Sequence, residues 1–355
     1  MKIADLFNVL SYRSSDKICV FLVDDYGHLG MSGELTEKEI NACPGILPGD
    51  VFNRYDGLES PDDLHSLFDA LTDYKGSDNK PVVFTPVVCT GNPTFSDEEN
   101  DMYSWESFNS SLKRSYGKEI LDLWQQGENE GVFQPELHGR EHIHPRILIN
   151  KLKEQAPAFT WMRDHRSIAV LNDGNVHLRP FKWMESQDEE WQQKMLGDAV
   201  GIFESFFKRK PALFVPPGLI HGKHTEQLAG EYGILYMDSA RSAMRSQANG
   251  QMKREIAWTG KRSNEIRYLC RNAMFEPATF GENSITQTLQ AADKAFRWRV
   301  PLVISSHRVN FAGGRDESNR ARGLLILRKL LEILTRRYPD MRFISASELI
   351  SLMTI

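Results

Sequence analysis

The stretch Glu136–Pro145, Glu-Leu-His-Gly-Arg-Glu-His-Ile-His-Pro, holds three of the chain's ten histidines. His138 and His142 are four residues apart, and His144 follows two later. A neutral imidazole is the commonest protein ligand for a transition metal. A pair at this spacing shares one face where the backbone turns helically. An oxygen ligand stands upstream, where the apolar run Ile18–Val23 ends in Asp24-Asp25-Tyr26-Gly27. With Asp25, His138 and His142 as ligands, a fourth position stays open to water, the pattern of catalytic rather than structural zinc sites. A divalent ion lowers the pKa of its water from about 15.7 toward roughly 7. Asp24 is then free to act as general base. His307, at a later strand end, is placed to act as general acid, each group contributing on the order of 10²–10⁴ in rate. Metal, base and acid together suit hydrolysis of an ester or amide.

Elements that could position these residues alternate along the chain. Ile18–Val23, Pro81–Cys89, Val132–Leu137, Ala212–Val215, Ile234–Met237, Ile266–Cys270, Pro301–Ser305 and Arg342–Ile344 read as strands. Ser60-Pro61-Asp62-Asp63 opens a helix to about Tyr74, with an N-cap, a first-turn proline and an acidic first turn. Glu189–Lys208 is strongly amphipathic, and Gly323–Arg337 carries the stripe Leu324, Leu327, Leu331, Leu334. Ser345–Met353 reads as a final capped helix. Thr90–Ser110 reads as loop, and 156–188 gives no clear pattern. Two stretches, about 26–60 and 239–260, read as long irregular insertions, the first an active-site loop or lid. Apolar strands repeatedly end in polar residues: Asp24-Asp25, His138, Pro216-Pro217, Asp238, His307. That pattern predicts an α/β fold, a parallel β/α barrel of six to eight units with its site at the strand C-terminal mouth. The whole of 1–355 reads as one such domain.

The formal net charge of −5 is modest and dispersed, which gives no basis for nucleic-acid or anionic-membrane binding. Cys19, Cys43, Cys89 and Cys270 show no Cys-x-x-Cys spacing and predict reduced thiols and a cytoplasmic protein. Met1–Leu10 does not read as a signal peptide, and no apolar run predicts a membrane span. Homo-oligomerisation is left open.

Asp24-Asp25, His138-x-x-x-His142, Phe214-Val215-Pro216-Pro217-Gly218 and Ser306-His307 resemble, in order, the motifs of the NodB-homology polysaccharide deacetylases, carbohydrate esterase family 4. Tyr338-Pro339-Asp340-Met341-Arg342-Phe343 is similar to the end of that superfamily's barrel. The resemblance implies a deformed (β/α)7 barrel and a metal-dependent deacetylase acting on a carbohydrate or sugar-linked substrate. It implies Asp24 as base, Asp25, His138 and His142 as ligands of one divalent metal, and His307 as acid. Zinc leads among the metals, with cobalt, nickel, manganese or iron as alternatives. The family's third motif carries an arginine before the prolines, where this chain has Val215. Arg140, Arg271 and Arg308 are the candidates to replace it.

Around this centre, Tyr26, Arg140, His144, Pro216, Pro217, Asp238, Arg271, Glu276 and Asn310 are candidates for substrate binding or support. His144 reads as a residue that holds a ligand. Asp238 reads either as a helix cap or as a partner that orients a site arginine or histidine. Pro216-Pro217-Gly218 could be only a rigid turn, and Glu276 could be merely solvated. His28, His221 and His224 sit on loops near the mouth. Two other readings stand beside the deacetylase: a catalytically altered carbohydrate-binding or polysaccharide-assembly protein on the same barrel, and a glycoside hydrolase using paired carboxylates.

Overall fold

Ile18–Val23 are six consecutive residues with no exposure, a run that a strand can hide only where both sheet faces are covered. In the computed structural model, which describes residues 3–95 and 103–354, this run lies inside β1 (Lys17–Tyr26). The other barrel strands are β2 (Phe84–Cys89), β3 (Glu136–Gly139), β4 (Leu213–Phe214), β5 (Tyr236–Asp238), β6 (Ile266–Leu269), β7 (Ala273–Met274), β8 (Leu302–His307) and β9 (Met341–Phe343). They pair in parallel in the spatial order β6-β5-β4-β3-β2-β1-β8-β7, and β9 adds to β1. Arg262–Ser263 forms a short antiparallel edge on β6.

The two ends of this path, β6 and β7, are separated in sequence only by Cys270, Arg271 and Asn272. The barrel therefore closes through the chain itself at that seam. Asn272 ties the connection at the seam to β8: its backbone N–H donates to Val303 O (3.0 Å), its Nδ2 donates to Pro301 O (2.7 Å), and its Oδ1 accepts from Val303 N (2.9 Å). The fold is a deformed parallel barrel, and the seam is part of the deformation.

Helices cover the outside, among them Pro61–Thr72, Glu119–Asn129, Asp188–Phe207, Asn283–Arg297 and Glu317–Arg337. The first opens with a capping box, Asp63 N donating to Ser60 Oγ and Ser60 N to Asp63 Oδ2. Ala346–Thr354 closes the described chain as a helix.

Sequence-based expectation and structure differ in three stretches. Thr90–Ser110 is not plain loop: Gly91–Thr94 pairs antiparallel with Ser104–Ser107, and 96–102 lies outside the described residues. The segment 239–260 is not irregular but contains an antiparallel hairpin, Ser242–Ser246 against Met252–Ile256. Its turn carries Asn249-Gly250, with Gly250 at φ 77°, which is the short-range hairpin signal. Within 156–188, Pro157–Asp164 is a helix.

The first insertion is ordered as a cap. Met31, Ile40 and Cys43 bury against Ile143, Leu148, Leu152, Trp161, Met162 and Ile168 in an apolar cluster separate from the barrel's. Two remote segments clasp: Leu47 N donates to Val170 O (3.0 Å), Asn172 N to Gly45 O (2.8 Å) and Ile168 N to Gly30 O (2.8 Å).

Candidate metal centre and active site

β1 ends irregularly. Its pairing with β2 shifts register between Val23 and Tyr26, and Asp25 takes φ 74°, the left-handed region that side chains enter at a cost. The bulge separates the two aspartates from Tyr26. Asp24 and Asp25 both line a cavity of about 480 Å³ at the strand C-terminal mouth. The Tyr26 ring instead packs edge-on to Phe133 (5.1 Å) and Trp124 (6.0 Å) in the core.

His138 ends β3, and His142 reaches the same point from the following bend rather than from a helix. The shared helical face is thus replaced by a chain reversal, with Gly139 at φ 116°. His138 Nε2 and His142 Nε2 lie 3.4 and 3.3 Å from Asp25 Oδ1. One ligand atom from each of the three residues falls within 4.8 Å of the others. His138 Nδ1 donates to Val215 O at 2.6 Å, so the proton sits on Nδ1. Its Nε2 faces Asp25 in a buried position with no hydrogen bond of its own. Burial, opposed by the Asp25 charge, lowers His142 to about 4. Burial alone would raise the Asp25 carboxyl, yet the adjacent imidazoles hold it well below its usual range. An ionised carboxylate, a neutral His142 and an orphaned imidazole nitrogen fit one divalent cation.

Arg271, at the barrel seam, grips Asp24 with two parallel bonds, Nη1 to Oδ2 and Nη2 to Oδ1, both 2.7 Å. Its Nε donates to Asp238 Oδ2 at 2.5 Å, and Nη1 also donates to Ser305 Oγ at 2.9 Å. Of the three candidate arginines, this is the one that reaches Asp24.

His307 ends β8 on the other side of Asp24, with Nε2 3.9 Å from Asp24 Oδ2. Its Nδ1 meets Glu276 Oε1 at 2.7 Å, and Asn310 Nδ2 donates to Glu276 Oε2 at 2.6 Å. Burial disfavours the imidazolium, but the Glu276 carboxylate outweighs it and raises His307 to about 10.

Arg308 is buried beneath the cap, where it pairs with Asp56 (3.0 Å) and Glu59 (2.9 Å). Arg140 does not reach the cavity; it pairs with Glu141 (2.8 Å) and Asp198 (2.5 Å) and stacks on Trp105 (4.5 Å). His144 does not hold a ligand either: its Nε2 faces Asp188 at 3.5 Å. Both side chains leave the bend toward the helix Asp188–Phe207. Pro216 and Pro217 are buried, and the turn they start puts Gly218 and Leu219 on the cavity wall. His28 lines the cavity, its ring 5.2 Å from that of His142. His221 is buried beside Glu226 (3.5 Å), and His224 lies against Trp183 (5.7 Å). Sequence reasoning missed the cap residues Leu47, Asp50, Phe52, Asp56, Ile168 and Val170, which also line the cavity. For Leu47, Asp50, Phe52 and Asp56 the signal was the length of the first insertion; Ile168 and Val170, in the patternless stretch 156–188, carried none.

No protein-family model matches the chain, and no curated protein matches it in sequence. Among solved structures, a protein from Parabacteroides distasonis described as a candidate glycoside hydrolase/deacetylase superposes with a TM-score of 0.54 at 9% identity, over 96% of this chain and 72% of that one. The chain shares the fold of that glycoside hydrolase/deacetylase protein. Two candidate polysaccharide deacetylases are also similar. The one from Pseudomonas aeruginosa has a TM-score of 0.49 and 12% identity over 94% of this chain and 89% of its own. The one from Mycobacterium smegmatis has a TM-score of 0.48 and 12% identity over 97% and 93%. Among the described residues, no helix of this barrel is long and apolar enough to cross a membrane.

Proposed function

We propose that the chain is a metal-dependent hydrolase that removes an acyl group, N- or O-linked, from a carbohydrate or sugar-linked substrate. The observation that carries this reading is the convergence of Asp24, Asp25, His138, His142, Arg271 and His307 on one cavity. A divalent ion held by Asp25, His138 and His142, zinc first among the candidates, would polarise the acyl carbonyl and acidify water. Asp24 takes the proton of the attacking water. Arg271 fixes the orientation of Asp24 through its two-pronged grip, and Asp238 fixes Arg271. His307, kept protonated by Glu276, donates its proton to the leaving nitrogen or oxygen as the acyl bond breaks. Asn310 holds Glu276 in place.

In this reading 1–355 form one barrel domain with the cap as its insertion. The four cysteines are free and buried, which supports a reducing compartment, the cytoplasm. The carbohydrate-binding alternative drew on Val215, and Arg271 at Asp24 weakens it. The test is acetate release from a panel of acetylated sugars by metal-loaded protein, beside Asp24→Asn and His307→Ala. Loss of turnover in both variants supports the roles; full activity in both overturns them.

A further inference from the structure

The cavity wall divides by origin. The barrel supplies most of the ionisable groups; the cap adds Asp50 and Asp56 and supplies the hydrocarbon, Leu47, Phe52, Ile168, Val170 and Leu178, continued by Leu219 from the turn after Pro217. Leu47, Phe52 and Val170 are only half-buried and pack into none of the three apolar clusters formed by the described residues. Their apolar surface faces the cavity instead.

That surface is held in place. The buried Asn53 side chain clasps both sides of it: Nδ2 donates to Val170 O (2.9 Å) and Leu47 O (3.3 Å), and Oδ1 accepts from Val170 N (2.8 Å). Leu219 adopts φ 55°, a conformation leucine enters at a cost, directly after Gly218 at φ 64°. A preorganised apolar wall beside a reactive centre is what recognises hydrocarbon. A single acetyl methyl would cover little of it.

Charge narrows the class further. The one arginine on the wall, Arg271, is committed to Asp24 and Asp238, and no lysine lines it. Asp56 is likewise committed to Arg308, and Asp50 accepts from the backbone N–H groups of Phe52 and Asn53. The His307 imidazolium is paired with Glu276, so among the described residues the wall offers, besides the proposed metal centre, no uncommitted cation to receive a phosphate or a uronate. The volume of about 480 Å³ lies within the ~300–1,000 Å³ of sites that take a small molecule whole.

Resting on the hydrolase reading, we infer that the substrate is a small, uncharged, amphiphilic acyl sugar, with an apolar group of several carbons lodged on the cap wall. That group is either the acyl chain or an alkyl group on the sugar. Each methylene buried there is worth about fourfold in affinity.

The test begins with the full-length, metal-free protein and calorimetric binding of N-acetylglucosamine, N-hexanoylglucosamine and hexyl N-acetylglucosaminide. At least one hexyl-bearing ligand should bind tenfold or more tighter than N-acetylglucosamine. Which one gains tells whether the wall receives the acyl or the sugar-linked chain. Leu47→Ser should shrink that ratio, and Val170→Thr provides a near-isosteric second variant if the first does not fold. If neither hexyl ligand binds more tightly, the inference is overturned, whatever the turnover. Turnover of the three ligands by the metal-loaded protein is read separately. Tighter hexyl binding without hydrolysis keeps the apolar wall and overturns the hydrolase reading. Hydrolysis without a chain-length gain does the reverse.

Discussion

Arg271 joins Asp24 and Asp238 through one guanidinium, with two bonds of 2.7 Å to the first and one of 2.5 Å to the second. The fork geometry is specific to arginine, because lysine is a point charge on a flexible stem. Arg271→Lys should therefore keep the charge and lose the alignment of Asp24. The expected result is a fall in kcat of roughly 10²-fold with KM little changed, the pattern of an interaction used only in the transition state. Steady-state kinetics on a confirmed substrate checks this, and a KM effect alone would contradict it.

Glu276 sets the pH at which His307 can serve as acid. With the carboxylate in place His307 is raised to about 10, so its alkaline limb lies far above neutrality. Glu276→Gln leaves burial, which disfavours the imidazolium, without that counterweight. The alkaline limb of kcat/KM should move down toward neutral pH. Linkage runs the same way: stability from the raised His307 is full below its unfolded value of about 6.5 and is lost as pH rises toward 10. Wild-type melting temperature should thus fall across that window, and the variant's should fall less. Matched pH–rate and pH–melting profiles decide it.

Metal occupancy should be separable from folding. His142→Ala removes one donor of the three at the cavity and should reduce the bound metal from near one per chain to a small fraction, read by elemental analysis. Chelation should lower the wild-type melting temperature, since a ligand at 100 times its Kd adds about 2.7 kcal/mol. The variant's melting temperature should not respond to chelator.

Arg308→Met should destabilise by about 3–5 kcal/mol, because Asp56 and Glu59 would remain as buried, uncompensated carboxylates. Burial already raises Asp56 to about 7 despite Arg308. A carboxyl raised on folding costs most stability once pH exceeds its folded value. The deficit measured by urea titration should be larger at pH 8 than at pH 5.

Gly323→Ala runs against helix propensity. Alanine in a helix interior is normally favoured by about 1 kcal/mol, but a Cβ here would come within 1.8 Å of Asn310 O. We expect a loss of roughly 1–3 kcal/mol together with reduced kcat, since Asn310 holds Glu276 against His307. A gain in stability would mean that the helix shifts without cost.

Legibility in the sequence followed distance along the chain. Strand ends were readable because apolar runs stop abruptly at polar residues, as Ile18–Val23 does at Asp24. The ligand candidates lay within those signals. What brings Arg271 to Asp24 lies 247 residues away, and nothing local separated it from Arg140 or Arg308. Arg140 and His144 sit inside the histidine stretch and were grouped with it, yet the bend turns them outward to Asp198 and Asp188. Tyr26 follows the same logic, because the bulge at Asp25 is a tertiary choice that residue types do not announce. The apolar cap residues were hidden for a further reason: a loop or lid over 26–60 and a patternless stretch over 156–188 do not point to one wall until Asn53 and Val170, 117 positions apart, are seen joined.

That last junction bears on how the protein acquires its competence over time. Closing long loops costs entropy before any contact repays it, and such contacts form late. The barrel's sequential parallel pairs can assemble before the roof is stitched. During refolding, fluorescence of the buried Trp124 should recover first, and capacity to retain a hexyl sugar should lag behind it. Arg271 and Asp24, 247 positions apart, meet later still by the same reasoning, so a newly made chain would pass through an interval in which the roof is stitched but its reactive groups are not yet assembled.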